Sequence, residues 1–126
     1  MRPKSLAEVA QLALAGESFD LCLANFLDEF YDSPNEEAFN PEPVLLAPRF
    51  GELGQVQDAY LAATTEELAR TYHLPLPTWT DGEDRKLHRP WFASPLASLR
   101  AVLLLESPAG FRSRNLFVSE NALSRV

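Results

Sequence analysis

The sequence predicts a mainly α fold, a compact bundle of four to five helices with long proline-rich connections. Three observations carry that expectation. Apolar residues recur at helical spacing behind serine cap residues near the start of the chain. A second periodic stretch fills residues 55–73, and a third follows the pair Ser94-Pro95. Seven of the ten prolines fall between these stretches, where they forbid long helices and impose irregular straps.

Ser5-Leu6-Ala7-Glu8 has the form of a capping box, in which the serine hydroxyl and the glutamate satisfy free amides at a helix start. Leu6, Val9, Ala10 and Ala13 follow on one face, and Gly16 is a natural left-handed stop, so a first helix is expected over 5–15. Ser18 caps a second, whose stripe of Phe19, Cys22, Leu23, Phe26, Leu27, Phe30 and Tyr31 opposes Asp20, Asn25, Asp28, Glu29 and Asp32. Ser33-Pro34-Asn35 ends it. Residues 33–54 carry four prolines and two glycines, which predicts a strap with one buried turn at Val44–Ala47.

The third helix is expected from Gln55 to His73. Val56, Ala59, Tyr60 and Ala63 share one face, and Leu61, Leu68 and Tyr72 another. Two apolar faces mean a central helix or a kinked one, and Thr64-Thr65-Glu66-Glu67 offers a place for a break. Leu74 to Trp79 is extended by its prolines, and Asp81-Gly82-Glu83-Asp84 reads as an exposed turn. Ser94 with Pro95 at the first helical position begins a fourth helix that runs to about Ser107. Its Ala101-Val102-Leu103-Leu104-Leu105 run is apolar on every side, which predicts the centre of the core. Leu116 to Val118 is expected to be a short extended piece, and Ser119 to cap a short final helix.

A hydrophobic fraction of 46% and a charged fraction of 23% fit one globular domain over residues 1–126. A lone Cys22 forms no internal disulfide, and on an apolar stripe it is a core thiol rather than a nucleophile. Glu8 and Gln11 interrupt the first apolar stretch, which therefore reads as an amphipathic helix and not a leader peptide. No run nears the roughly 18 apolar residues of a membrane span, so a cytoplasmic protein without membrane association is expected. Charge is divided unevenly: residues 1–67 hold 13 acids and 3 bases, residues 68–126 hold 5 acids and 8 bases. The acidic half is either ordinary solvated surface or an attraction for a basic partner.

Chemistry is sparse. His73 and His88 are the two histidines and form no metal-ligand pair, and the acidic turn lacks the alternation and distal glutamate of a calcium loop. There is no GxSxG elbow and no glycine-rich phosphate loop. Neither an enzyme nor a metal or other cofactor is expected. Two segments stand out as candidate partner-binding surfaces. Trp79, Arg89, Trp91 and Phe92 combine rigid aromatics with a guanidinium, either for recognition or to pin a strap to the core. In Phe111–Val118, Arg112 and Arg114 point to one side if the chain is extended, with Asn115 on the other. Paired guanidiniums clamp a carboxylate or phosphate, or pair internally with the acidic half.

The strings DAYLAATTEELARTYHLPLPTW, RPWF and ESPAGFRSRNLFVSENALSRV resemble a family of small uncharacterised bacterial proteins. Proteins of that kind occur beside nucleotidyltransferase-like genes in toxin–antitoxin-type pairs. The resemblance spans roughly residues 55–126, with a weaker match in LANFLDEFY. It implies an antitoxin-like partner of a nucleotidyltransferase-like protein, and no activity. The function expected is thus a protein-interaction module. The alternative is a nucleic-acid-binding regulator using Arg85, Lys86, Arg89, Arg112 and Arg114. A third class, a small-ligand binder, requires a pocket with converging polar groups.

Overall fold

The computed structural model describes residues 2–125 and is mainly helical, as expected. Four helices of nine residues or more carry the fold: α1 (Leu6–Leu14), α2 (Phe19–Asp32), α4 (Glu52–Tyr72) and α5 (Ala97–Glu106). Two single turns, α3 (Ala47–Phe50) and α6 (Ala109–Arg112), and a two-residue parallel pair, β1 (Trp91–Phe92) with β2 (Leu116–Phe117), complete it. Three short 3-10 turns at Glu36–Ala38, Thr78–Asp81 and Glu83–Arg85 punctuate the straps.

The caps lie where the sequence puts them in the first half. Ser5 and Ser18 each accept a hydrogen bond from the amide three residues on, Glu8 and Leu21. The Glu8 carboxylate reaches back to the Lys4 amide, one residue earlier than a strict box. Gly16 ends α1 at φ +104°, a conformation that costs a glycine little. α1 and α2 then bury Leu6, Val9, Phe26, Leu27 and Phe30 in one cluster, where Phe30 meets the rings of Phe26, Phe39 and Tyr72 with centroids 5.3–6.0 Å apart.

α4 is central and unbroken. Leu61 and Leu68 enter the α1–α2 cluster, whereas Ala59 and Ala63 enter a second cluster with Phe111, Leu116 and Val118. No break occurs at Thr64-Thr65, because Thr65 Oγ1 donates back to the Leu61 carbonyl at 2.9 Å and both threonines are buried. The helix also begins earlier than Gln55. Asp58 makes that possible: its carboxylate accepts from the Leu46 amide at 2.7 Å and the Ala47 amide at 3.0 Å, so the α3 turn docks against α4. Gly54 lets the two backbones meet there, since a Cβ at this position would overlap the Leu46 carbonyl. Within Val44–Ala47 the buried residue is Leu46, and the helical turn lies just after it, at Ala47–Phe50.

Three expectations in the second half are overturned. α5 does not lie at the centre of the core. Leu103 is buried, but Leu96, Leu99, Val102, Leu104 and Leu105 are exposed, Leu105 by 83%. Nor does Ser94 cap it: the helix starts at Ala97, and the Ser94 hydroxyl accepts from the Leu96 amide in a turn before the helix. The physical reason is tethering. Leu103 and Ser107 anchor one side of α5, with Ser107 Oγ accepting from the Val118 amide at 2.8 Å, and the opposite side has no protein against it. The expected final helix is a turn only, in which Ser119 Oγ accepts from Asn121 and the Ala122 amide donates to the Ser119 carbonyl.

Candidate functional site

Of the side chains singled out in the sequence, several prove to be structural ties. Trp79 donates its indole N–H to the Phe39 carbonyl at 2.9 Å, and its ring lies under the Arg85 guanidinium, 4.8 Å from the centroid. It pins the strap to the core. Arg85 is 0% exposed. It donates to the Pro43 carbonyl and lies 3.8 Å from the Asp58 carboxylate and 3.6 Å from that of Glu42. Burial pushes the Asp58 carboxyl above the ordinary aspartate value, while the Leu46 and Ala47 amides and then Arg85 pull it down.

Arg112 and Arg114 do not align as an extended chain would place them. Residues 109–112 form the α6 turn, which sends Arg112 into solvent and Arg114 inward. Arg114, 3% exposed, binds Glu66 and the Gly110 carbonyl at 2.8 Å each and the Thr80 carbonyl at 3.0 Å. Glu66 and Glu67 also hold Arg70, and Glu67 accepts from the Gly110 amide at 2.9 Å. This is the internal pairing with the acidic half. Asn115 adopts φ +63°, donates from its side chain to the Leu87 carbonyl at 2.7 Å, and starts the β1–β2 pairing by accepting from the Trp91 amide at 2.8 Å. Of the five bases assigned to nucleic acid, Lys86, Arg89 and Arg112 remain exposed, whereas Arg85 and Arg114 are enclosed.

Trp91 and Phe92 lead to a different surface. Phe92 stacks on Phe117 with centroids 5.1 Å apart, and the Arg100 guanidinium lies 5.1 Å above its ring. Trp91 lines an apolar groove of about 610 Å³ between α2, α4 and the chain after β2, with Leu23, Leu27, Leu53, Val56 and Tyr60 among its walls. Four residues past Ala93, itself on the groove wall, α5 begins. Leu53 on the groove wall and Leu99, Val102, Leu104 and Leu105 on α5 are exposed apolar side chains. The charged side chains of α5 are Arg100 and Glu106. On a helix they lie to either side of Leu105, so the outward face of Ala97, Ser98, Ala101, Leu104 and Leu105 bears no charge.

A second cleft, about 510 Å³, is lined by Tyr31, Glu67, Tyr72, Glu120 and Arg125. Its polar groups are largely engaged with the protein itself. The Tyr31 hydroxyl donates to the Leu123 carbonyl at 2.8 Å, and Arg125 pairs with Asp28 at 2.9 Å. Cys22 is buried, and burial first and Glu17 second raise its thiol pKa, which disfavours the thiolate. Among the described residues no three histidine, cysteine, aspartate or glutamate side chains gather to hold a metal ion, and no helix is long and apolar enough to cross a membrane.

Sequence reasoning missed the exposed helix and the groove for one reason. An all-apolar run has no periodicity to report which side faces water. Val56 and Tyr60 were legible as helix-face residues, but their position beside Trp91 is a tertiary fact, and Leu53 lies in the stretch that the sequence assigns to the strap before the helix. Compared with known protein families, curated proteins and solved structures, the chain matches none.

Proposed function

We propose that this protein is an interaction module that docks a protein partner through the outward face of α5. The observation that carries this reading is Leu105, 83% exposed on a helix face of Ala97, Ser98, Ala101, Leu104 and Leu105 that bears no charge. Large contiguous apolar surface is unfavourable on a monomer and marks a place where another molecule sits. Trp91 and Phe92, at the foot of the helix, supply the aromatic anchors such interfaces favour.

The resemblance of residues 55–126 to proteins encoded beside nucleotidyltransferase-like genes indicates the class of partner to try first. The acidic first half suits the basic cleft of such a protein and would speed its association. Trp79, Arg114 and Asn115 act within this module as supports, while Arg89 and Arg112 are exposed.

The test is a binding measurement with the purified protein encoded beside this one, using the native chain and Leu105→Glu. Because Leu105 is exposed, that change leaves folding intact while placing a charge in the contact. A loss of affinity of about a hundredfold is expected, the scale of a central apolar anchor. Equal binding by both chains would remove α5 from the interface.

A further inference from the structure

Residues 68–126 hold 8 bases to 5 acids, and the fold gathers three of those bases, all exposed, onto neighbouring stretches of chain. We infer that Lys86, Arg89 and Arg112 bind the phosphate backbone of a nucleic-acid duplex without regard to base sequence. The contact uses none of the residues of the α5 docking face and stands independently of that reading.

Their placement comes from the backbone. Leu87 packs against the cluster around Phe111, and its amide donates to the Arg114 carbonyl at 3.2 Å. The Asn115 side chain donates to the Leu87 carbonyl at 2.7 Å. These two bonds join residues 86–89 to residues 112–115. Lys86 is extended, with φ -133° and ψ 149°, so alternation turns it away from the side that Leu87 buries. Arg89 is exposed two residues further on, and Arg112 ends the α6 turn with its side chain in solvent. With Cα steps of about 3.8 Å, all three bases fall well within the roughly 34 Å of one duplex turn.

Among the described residues none of the three pairs with a carboxylate, in a chain of 18 acids and 11 bases. Asp81, Glu83 and Asp84 stand in the turns just before Lys86 and still make no such contact. Unpaired cations held near one another repel, and a bound polyanion relieves that repulsion. The surroundings select the polyanion. None of the three bases lines either cleft described above, so nothing there cradles a single small phosphate. The exposed leucines and valines lie elsewhere, at Leu21, Val44, Leu53, Leu76 and from Leu96 to Leu105, so the patch lacks the apolar centre of a protein interface. Nor does an exposed aromatic stand ready to stack unpaired bases, because Trp91 is half-buried and Phe92 lies against Phe117. A duplex backbone asks only for spaced cations.

Fluorescence anisotropy of a labelled DNA duplex, titrated with the full chain at a series of salt concentrations, tests this. Three phosphate contacts predict a slope of about -2.7 for log affinity against log salt, roughly 0.9 for each. Lys86→Gln, Arg89→Gln and Arg112→Gln each alter an exposed side chain, and circular dichroism verifies that the variants remain folded. Each is expected to weaken binding and to reduce the slope by about 0.9, and the triple variant to lose binding. Arg49→Gln, which removes an exposed base outside the patch, should bind as the native chain does. A duplex of unrelated sequence should bind within about twofold of the first. Absence of binding at the lowest salt overturns the inference, as does a triple variant that binds like the native chain. Tighter binding to the single strand than to the duplex also overturns it, and equal competition by polyglutamate of matched charge would assign the surface to acidic proteins instead.

Discussion

Asp58 is the residue on which the most structure depends. One buried carboxylate satisfies two backbone amides of the α3 turn and faces the enclosed Arg85, which in turn holds the Pro43 carbonyl and the Trp79 ring. Removing it leaves two amides without their acceptor and the enclosed guanidinium without its buried counter-charge. Asp58→Ala is therefore expected to lower stability by about 3–5 kcal/mol, measured by urea denaturation. Asp58→Asn keeps one acceptor oxygen and should lose less. Arg85→Lys also fails, since an ammonium cannot reach the same carbonyl and lie flat on the indole. These roles were not legible in the sequence. Nothing in the spacing of Asp58 and Arg85 indicates that two straps fold over the same face of α4, and an arginine in a run of charged residues reads as solvated.

At the scale of elements, local signals located the first half well and the second half poorly. Ser5, Gly16 and Ser18 act within a few residues of themselves, so their neighbourhood in the sequence contains the physics that fixes α1 and α2. The two apolar faces of α4 were also visible, and they resolve into two clusters on opposite sides of one straight helix. α5 differs because its position depends on distant partners, chiefly Val118 and Phe117. Its sides should respond very differently to mutation. Leu103→Ala removes a buried side chain and is expected to cost about 2–4 kcal/mol, whereas Leu105→Ala changes stability by less than about 0.5 kcal/mol at concentrations too low for association. Thermal melts of dilute samples distinguish the two. Equal losses would mean that the outward side of α5 is covered within the single chain.

For the whole molecule, pH dependence at the alkaline end follows from the tyrosines. Burial pushes the Tyr60 hydroxyl from its ordinary 10.0 up to about 12, with Asp20 adding to the effect, and burial raises Tyr31 too. Above pH 10 the unfolded chain gives up these protons while the folded chain keeps them, so the folded state binds more protons and stability falls as pH rises. Below pH 10 both states are protonated and this dependence vanishes. The expected decline for Tyr60 approaches about 1.4 kcal/mol per pH unit between pH 10 and 12. Tyr60→Phe should flatten it in denaturation curves taken at pH 9, 10 and 11, and an unchanged slope would assign the loss to other groups.

The position of α4 between two clusters has a calorimetric consequence. Melting the cluster around Phe30 strips Leu61 and Leu68 of their cover, and melting the one around Phe111 strips Ala59 and Ala63, which lie on the same twenty-one-residue helix. Neither half keeps a folded scaffold once the other has gone. Heat should therefore remove both in a single step, with the enthalpy under the calorimetric peak equal to that given by its sharpness.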